Sequence, residues 1–381
     1  MRIAIVMPLA DLRGGAEIML LHLLRANRQA ALIDYSLAFF EDGPLAREAE
    51  ALGYRVQVFE AGKLRQAGRY ARTVKLLYAW LKQEGADAVL SWMSKAHLYA
   101  GPAAVLAKVP ALWYQHGIAG EDLLEKCYGY IPSKAVLCPS TAALKHQKRV
   151  TPRLSAAVIH PSVDLQAYFR VSHAAMQKTR KELGLPEGKR ILGLVARLQR
   201  WKGVHTFLDA AAKLARRHED VHFVVVGGEH YSEPDYPTEL RRQAQQAGME
   251  SRITFAGHQP DSARWVRAFD VLVHASLEEP FGMVIIEGMA SGKPVIASKA
   301  GGPLETITHG VNGLLVPPGD AAGLASSMER LIADPEEYRR LSEAGYMRAQ
   351  DFGTERLAKE VAALCQTICG SREMSIDYER P

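Results

Sequence analysis

The feature that most constrains the fold is an alternation of apolar, β-rich runs with amphipathic helical segments. In the first half of the chain, the runs RIAIVMP, YSLAFF, YRVQVF and AVLSW alternate with helical patterns at residues 17–24, 43–52 and 69–83. This alternation is typical of a parallel sheet whose crossover helices cover its faces. The sequence therefore predicts an α/β protein with a doubly wound sheet.

The alternation loosens at residues 162–190 and then starts again. The later runs are RILGLVAR, HFVVVGG, ITFAG, VLVHAS, PVIAS and GLLVPP, with helical patterns at 204–217, after Pro237 and up to Ala290. A chain of 381 residues also exceeds the length of about 250 at which single cores stop growing. We therefore predict two doubly wound domains, residues 1–163 and 164–353.

The C-terminal segment FGTERLAKEVAALCQTI has an apolar stripe at Leu357, Val361, Leu364 and Ile368. A helix with such a stripe has to bury it against another element. The polar residues 371–381 that follow are predicted to form a flexible tail.

Composition and cysteine usage narrow the class of protein. With 48% hydrophobic and 23% charged residues, the chain is typical of a globular protein. Its four cysteines lack metal-site spacing and are too few for a disulfide scaffold, which indicates a reducing cytoplasm. The N-terminal apolar run is short and lacks a cleavage-like site, so it predicts a strand. No apolar stretch reaches the roughly 18 residues of a membrane span, and peripheral membrane contact stays open.

The basic residues are concentrated in the first half. Residues 1–163 hold 20 Lys and Arg against 13 Asp and Glu, whereas the net charge of the whole chain is +5. The excess lies in two groups, at residues 63–82 and 145–153. A solvated helix surface explains such groups, and attraction to anionic lipid or to a phosphorylated acceptor is the sharper alternative. No nucleic-acid-binding pattern accompanies the charge, so no nucleic-acid partner is predicted.

Several motif matches lack the context that their chemistry requires. HEDVH at residues 218–222 fits a zinc-protease pattern, but a helix is predicted to end at residues 217–220 and a strand to begin at Val221. The two histidines would then not share a helix face, and no metal site is predicted. DFG at residues 351–353 has no other kinase element around it, and no P-loop or dinucleotide fingerprint is present.

Turns after the first strand of each predicted domain indicate an anion site. Gly14 and Gly15 follow the first strand, and Arg197 and Lys202 follow the first strand of the second domain. Open parallel sheets bind ligands beyond the carboxyl ends of their strands, so two such domains would face each other across a cleft. Glycine amides at a helix N-terminus and two cations suit a phosphate. The structural alternatives are that Gly14 and Gly15 form only a tight turn and that Arg197 forms a surface ion pair.

The stretch EPFGMVIIE holds two carboxylates, Glu279 and Glu287. Eight helical steps would separate their backbones by about 12 Å, whereas a glycosidase pair needs about 5–9.5 Å. The spacing therefore favours two contacts along an elongated ligand, with a helix beginning after Phe281 and Gly282 so that the amides at Gly282 and Met283 can hold charge. Glu287 lies in an apolar helix and needs a partner. Ribose hydroxyls would serve, and a buried ion pair is the alternative.

These segments together resemble the retaining, GT-B fold nucleotide-sugar glycosyltransferases of glycosyltransferase family 4. In the second domain the matching segments are EPFGMVIIEGMASGKPVIAS, GLVARLQRWKGV, VVVGG, FAGHQP and AGGPLETITHGVNGLLVPPGD, and in the first domain they are GGAE, QHG, PST and IHPSVD. The resemblance implies two Rossmann-like domains facing a cleft. Residues 1–163 would bind the acceptor and be joined by the C-terminal helix 354–370, and residues 164–353 would bind the donor.

The resemblance also implies roles for individual residues. Catalytic roles fall to Glu279, which would hold the transferred sugar, to His116 near the anomeric centre, and to Arg197 and Lys202 on the diphosphate. Contacts to the donor fall to the following residues: Gly14, Gly15, Gly257, His258, Phe281, Gly282, Met283 and Glu287. Of these, Gly257 and His258 would grip the base and Glu287 the ribose.

The implied reaction moves a hexose, glucose favoured, from a nucleotide sugar, UDP favoured, to a glycan or lipid-linked acceptor with retention. Arg197 and Lys202 would replace a metal, because no D-x-D pair stands at a strand end. Polysaccharide or surface-glycan assembly at the cytoplasmic membrane face is the expected setting. Pro161 and Ser162 depart from the Asn-Gly often found there. The alternatives are a GDP-mannose-dependent mannosyltransferase, a GT-B epimerase or phosphorylase, and a nucleotide-sugar-binding protein.

Overall fold

The computed structural model describes residues 1–61, 65–120 and 123–370. The strands are β1 (Arg2–Met7), β2 (Asp34–Phe39), β3 (Arg55–Val58), β4 (Ala88–Ser91), β5 (Ala111–Tyr114), β6 (Ala135–Cys138), β7 (Ala156–Val158), β8 (Arg190–Val195), β9 (Val221–Val226), β10 (Ile253–Gly257), β11 (Val271–His274), β12 (Val295–Ser298) and β13 (Leu314–Val316). The helices are α1 (Gly15–Ala30), α2 (Pro44–Ala51), α3 (Ala67–Glu84), α4 (Ser94–Ala107), α5 (Leu123–Tyr128), α6 (Thr141–Val150), α7 (His173–Glu182), α8 (Val204–Ala215), α9 (Tyr236–Gln246), α10 (Ser262–Ala268), α11 (Met283–Ala290), α12 (Pro303–Thr306), α13 (Ala321–Ala333), α14 (Pro335–Ala349) and α15 (Thr354–Gly370). Two 3₁₀ turns cover Arg200–Lys202 and Gln350–Phe352.

The chain forms two compact units, one of residues 1–162 with α15 and one of residues 163–353. Unit 1 has a seven-stranded parallel sheet in the order β3-β2-β1-β4-β5-β6-β7. Alternate strand residues pack into two cores, because successive side chains of a strand point to opposite faces. One core lies under α1, α2 and α15, and the other lies under α3, α4 and α6.

Helix α15 belongs to unit 1 although it follows unit 2 in the chain. Leu357, Val361 and Ile368 are buried in the core that α1 and α2 also cover, and Leu364 packs at its edge. The apolar stripe read from the sequence therefore buries against unit 1. The predicted tail, residues 371–381, lies outside the described residues.

Unit 2 has a six-stranded parallel sheet in the order β10-β9-β8-β11-β12-β13. The strand order reverses between β8 and β11, which pair directly. Loops that leave two neighbouring strands in opposite directions at such a point open a crevice at the carboxyl edge of the sheet. The sheet thus fixes where the loops after β8 and β11 meet. The prediction of two Rossmann-like parallel-sheet domains is confirmed.

The structure separates the two histidines of HEDVH. Helix α8 ends at Ala215, His218 follows it, and His222 lies within β9. The described residues contain no group of three or more His, Cys, Asp or Glu side chains that could hold a metal ion. In the same part of the chain, no helix combines the length and the apolar character needed to cross a bilayer.

Candidate functional site

Lys202 and Glu279 meet at the carboxyl edge of the unit 2 sheet. Lys202 ends the 3₁₀ turn after β8, and Glu279 lies in the loop between β11 and α11. The Lys202 Nζ donates a hydrogen bond to Glu279 Oε2 at 2.7 Å. The side chains are only 16% and 7% exposed, respectively. The two residues that the sequence assigned to the diphosphate and to the sugar are therefore direct partners.

The Glu279 carboxylate is the centre of a small polar network. His274 Nε2 lies 2.9 Å from Glu279 Oε2, and Ser276 Oγ donates to the same oxygen at 3.0 Å. All three contacts fall on Oε2, and Oε1 makes no hydrogen bond to the described residues. Glu279 therefore keeps one carboxylate oxygen available to a ligand.

Two opposing effects act on the Glu279 carboxyl group. Burial alone would raise its pKa, but the Lys202 ammonium and the hydrogen bond from His274 outweigh burial and hold the pKa well below its usual range. Glu279 is therefore ionised at every pH at which the protein would function. An ionised carboxylate accepts hydrogen bonds only, so its ligand partner has to be a donor such as a hydroxyl.

Backbone contacts hold the two loops in register. The Leu277 amide donates to the Trp201 carbonyl at 2.7 Å. Gly203 has a φ of +65°, and a Cβ at this position would overlap the Ala275 carbonyl oxygen. Only glycine satisfies both conditions, because other residues rarely adopt a positive φ and no side-chain atom fits. The close approach at Gly203 brings Lys202 within reach of Glu279.

A second close approach fixes the Glu279 loop from the other side. The Gly302 amide donates to the Glu279 carbonyl at 2.9 Å, and a Cβ at Gly301 would overlap that carbonyl oxygen. Phe281, predicted to bind substrate, is buried and packs edge-on against Phe352 at a ring distance of 5.7 Å. Its side chain anchors the loop, so any ligand contact of Phe281 has to come from its backbone.

The start of α11 presents unsatisfied amides. Gly282 is the N-cap with a φ of +91° and no side-chain cap, and the helix begins at Met283. The first amides of a helix have no partner within the helix and carry a partial positive charge. The predicted anion-binding character of Gly282 and Met283 therefore has a structural basis.

The other donor-site residues of unit 2 are exposed. Arg197 follows β8, and its guanidinium has no partner among the described residues. Gly257 ends β10 with a φ of +68°, and its carbonyl accepts from the Gly227 amide at 2.8 Å. His258 follows at the surface. These residues follow β8 and β10, whose carboxyl ends lie at the same sheet edge as the Lys202–Glu279 pair.

Glu287 has a neutral hydrogen-bond partner, and it forms no ion pair with the described residues, although the sequence left a buried ion pair open. It is half-buried on α11 and accepts a hydrogen bond from Tyr168, whose hydroxyl also lies 2.9 Å from Ser262 Oγ. Burial raises the pKa of Glu287 to about 7, and the hydrogen bond from Tyr168 only partly opposes this. The Tyr168 hydroxyl occupies one acceptor position of the Glu287 carboxylate, and the remaining positions can accept from a further donor.

In unit 1, the glycine turn after β1 leads into α1. Gly14 is the N-cap with an extended φ of −116°, so its conformation does not require glycine. A Cβ there would, however, overlap the carboxylate of the buried Glu17. Gly15 begins the helix. Because the Glu17 carboxylate lies beside this turn, an anion could approach only the remaining amides. The phosphate contact of Gly14 and Gly15 stays a prediction.

His116 follows β5 and is held by aromatic side chains. It stacks on Tyr114 at a ring distance of 4.2 Å and lies 5.4 Å from the ring of Trp92. The Trp92 indole donates to the Ala16 carbonyl at 2.8 Å, which connects His116 to the first turn of α1. Burial lowers the pKa of His116 to about 3, with a hydrogen bond to the Trp92 backbone opposing it. The ring is neutral, and its Nε2 has no partner within the described residues.

Three residues of these networks were not predicted from the sequence. His274 orients Glu279, Tyr168 contacts Glu287, and Trp92 connects His116 to α1. A buried polar residue at the end of an apolar strand, such as His274 in VLVHAS, is a usable signal. The contacts of Tyr168 and Trp92 join segments far apart in sequence and carry no local signal.

Two family models cover most of the chain. A model described as glycosyl transferases group 1 matches residues 175–348. A second model, described as glycosyltransferase family 4, matches residues 13–167. The two matches fall on the second and first units, respectively.

Curated relatives match over part of their length. The D-inositol 3-phosphate glycosyltransferase of Corynebacterium urealyticum is 30% identical over 216 residues, which are 56% of this chain and 51% of that protein. The enzyme of the same name from Streptomyces bingchenggensis is 35% identical over 212 residues, 54% of this chain and 46% of that protein. This chain thus spans about half the length of the curated relatives that it matches.

Solved structures match over nearly the whole chain. Anabaena HepE in complex with UDP and glucose has a TM-score of 0.83 and 27% identity, covering 96% of this chain and 100% of that chain. Another structure of HepE contains UDP-glucose. Sucrose-phosphate synthase from Thermosynechococcus elongatus has a TM-score of 0.79 and 25% identity, covering 97% and 99%. Together with the two-sheet architecture, the two family models identify this chain as a GT-B fold member of the group 1 glycosyltransferases, glycosyltransferase family 4.

Proposed function

We propose that this protein transfers a hexose, glucose favoured, from a UDP-sugar to a glycan or lipid-linked acceptor, with retention and without a metal ion. The observation that carries the proposal is the contact between Lys202 and Glu279, which leaves Glu279 Oε1 available at the carboxyl edge of the sheet. The structures of HepE with UDP and with UDP-glucose support this choice of donor.

The donor diphosphate would bind the positive groups of unit 2. Arg197 is exposed and has no side-chain partner among the described residues, and Lys202 follows it in the same loop after β8. The amides at Gly282 and Met283 add the partial charge of a helix N-terminus. These groups would stabilise the charge that develops on the departing diphosphate, which is the largest electrostatic change in the reaction.

The sugar and ribose would bind through carboxylates. Glu279 Oε1 would accept hydrogen bonds from hydroxyls of the transferred sugar. Glu287 would accept a hydrogen bond from a ribose hydroxyl in addition to the one that it accepts from Tyr168. His116 would accept a hydrogen bond from a sugar hydroxyl at Nε2, because its ring is neutral and that nitrogen has no partner in the described part of the chain. Gly257 and His258 would contact the base.

Retention follows in this proposal from attack on the same face that the diphosphate leaves. The acceptor hydroxyl forms the new C–O bond while the bond between the anomeric carbon and the phosphate oxygen breaks, and the departing phosphate takes the proton. No protein nucleophile takes part. Lys202 and Arg197 would stabilise the negative charge of the departing phosphate until it takes up the proton.

For the acceptor, the name of the curated relatives, D-inositol 3-phosphate glycosyltransferase, favours a phosphorylated molecule. Polysaccharide or surface-glycan assembly on the cytoplasmic side of a membrane is the setting that we propose. A GDP-mannose-dependent transferase is the nearest alternative.

A donor panel in the presence of EDTA tests the proposal. The purified protein is incubated with UDP-glucose, UDP-galactose, their N-acetylated forms or GDP-mannose, and release of nucleotide is measured with and without candidate acceptors. We expect UDP release from UDP-glucose that EDTA does not reduce, and an α-linked product by NMR. Donor interconversion without an acceptor would instead indicate an epimerase, a requirement for inorganic phosphate a phosphorylase, and binding without turnover a nucleotide-sugar-binding protein.

A further inference from the structure

The helices on the two faces of the unit 1 sheet differ sharply in charge. Helices α1, α2 and α15 cover one face and hold five Lys or Arg and five Glu. On the other face, helices α3, α4 and α6 hold eight Lys or Arg and a single acidic residue, Glu84, and the short helix α5 adds Glu125 and Lys126. The basic excess that the sequence places in the first half is therefore concentrated on one side of unit 1.

All eight cations of this basic face are exposed, and none has an acidic partner among the described residues. They are Arg69, Arg72, Lys75, Lys82, Lys95, Lys145, Lys148 and Arg149. Glu84 is turned away to Arg55 at 2.8 Å and does not neutralise them. Lys63, which the sequence groups with them, lies outside the described residues.

The same face exposes large apolar side chains. Leu76 on α3 is 41% exposed, and Val105 and Leu106 on α4 are 49% and 59% exposed. Helices α3 and α4 pack side by side in the core beneath them. Within the described residues, α1, α2 and α15 expose no large apolar side chain of this kind. Large apolar side chains are therefore exposed on the same helices as cations that have no acidic partner among the described residues.

We propose that the outer surface of α3, α4 and α6 binds a bilayer containing anionic phospholipids. Unpaired lysines and arginines are attracted to the negative surface of such a membrane. The side chains of Leu76, Val105 and Leu106 would enter the boundary between headgroups and acyl chains, as the apolar face of an interfacial helix does. This inference identifies an anionic membrane as the partner of unit 1. Only the purpose of the contact, which is to bring the enzyme to a lipid-linked acceptor, rests on the proposed function.

A bilayer fits these observations better than the other occupants. Nucleic acid would use the cations but gives Val105 and Leu106 no role, and no aromatic side chain is exposed on these three helices for base stacking. A second copy of the chain would bring the eight cations of each copy together on a two-fold interface, which opposes association.

Vesicle sedimentation of the full chain tests the proposal. Vesicles of phosphatidylcholine with about one-third phosphatidylglycerol should sediment the protein at low salt, and about 0.5 M salt should release most of it, since salt screens exposed charges. Vesicles of phosphatidylcholine alone should bind little. Substitution of three cations, Arg72→Gln, Lys75→Gln and Lys95→Gln, should weaken partitioning at least about tenfold.

Matched variants separate the surface from general effects of charge and hydrophobicity. The charge control removes three cations from the opposite face, with Arg25→Gln, Arg47→Gln and Lys359→Gln. The apolar variant is Val105→Ser with Leu106→Ser, and its control is Val311→Ser with Met347→Ser, two residues of unit 2 that are 53% and 60% exposed. We expect the apolar variant to lose about threefold or more in partitioning and both controls to retain it.

Three outcomes would overturn the proposal: no sedimentation of the wild type, equal loss in the controls, or a dimer in solution that Val105→Ser with Leu106→Ser dissolves while vesicle binding stays absent. Circular dichroism on every variant shows whether its fold is intact. Release of UDP from UDP-glucose is measured in parallel and should not change in any of the four variants. A protein that binds vesicles but turns over no donor would overturn the proposed function and leave this surface standing.

Discussion

Lys202 Nζ and Glu279 Oε2 lie 2.7 Å apart between the loops that follow two neighbouring strands of one sheet. The contact joins a cation and an anion that are both largely removed from water. Such a pair costs free energy of desolvation and is retained when its geometry serves another purpose. Here it fixes a carboxylate with one oxygen still available, in the loop that leads into α11.

Removal of the lysine charge should destabilise the protein more than removal of both charges. Lys202→Met leaves a buried carboxylate with His274 and Ser276 as its remaining partners, and we expect a loss of about 3 kcal/mol in the free energy of unfolding. Glu279→Gln should cost less, because the Lys202 ammonium can reach water. In urea unfolding, the double variant should be more stable than the sum of the single effects predicts. Strict additivity would show that the pair is not coupled.

Gly203 should be intolerant of a side chain for two separable reasons. Gly203→Ala adds strain at a φ of +65° and a collision with the Ala275 carbonyl oxygen. Gly248 has a similar φ of +67° with no atom within 4 Å of the added carbon, so Gly248→Ala measures the strain alone. We expect about 1 kcal/mol for Gly248→Ala and at least twice that loss, together with lost donor binding, for Gly203→Ala. Thermal unfolding with and without UDP measures both, and equal effects would exclude the collision.

Much of the fold could be predicted because sheet-forming runs are encoded locally. The β10 segment ITFAG agrees residue for residue, and the runs at β1, β8 and β12 agree to within one or two residues. The place where the strand order reverses could not be predicted, because strand pairing in the sheet depends on contacts between distant segments. The sequence placed residues at strand ends, and the topology decided that the loops after β8 and β11 are neighbours.

The pH dependence of stability should carry a contribution from Glu287. Its pKa is about 7 in the folded protein against 4.5 for an ordinary glutamate. The folded state therefore binds more protons than the unfolded chain between these values, so this contribution to stability is present at low pH and is lost as the pH rises to about 7. Glu287→Gln should remove that decline. Urea unfolding at several pH values measures it, with Glu278→Gln at an exposed position as control, and an unchanged slope in Glu287→Gln would contradict the assignment.

His116 should remain uncharged throughout the pH range of activity. Its pKa of about 3 reflects burial between aromatic rings, so the imidazole stays neutral at about pH 5 and its Nε2 stays a hydrogen-bond acceptor. Nitrogen-15 NMR of histidine-labelled protein reports the protonation state of the ring directly. An imidazolium signal from His116 at about pH 5 would show that the ring is solvated and does not accept a sugar hydroxyl in the proposed way.

The candidate site was less predictable than the fold. The spacing of Glu279 and Glu287 favoured two contacts along an elongated ligand over a glycosidase pair, and this stays a prediction. What the sequence could not show is that Lys202 binds Glu279 directly, or that Tyr168 supplies the partner of Glu287. Both contacts need loops from distant segments to meet. The collision at Gly203 likewise depends on how closely two loops approach, and a glycine in a sequence does not report that distance.

In the proposed site, Lys202 binds the diphosphate and Glu279 binds the sugar of one nucleotide-sugar donor. Calorimetric titration of UDP and UDP-glucose into the wild type, Lys202→Ala and Glu279→Gln measures both contacts. We predict that Lys202→Ala weakens both ligands at least about tenfold, and that Glu279→Gln weakens UDP-glucose at least about tenfold while UDP changes by less than about threefold. Equal weakening of UDP and UDP-glucose by Glu279→Gln, or unchanged UDP binding in Lys202→Ala, would contradict the account.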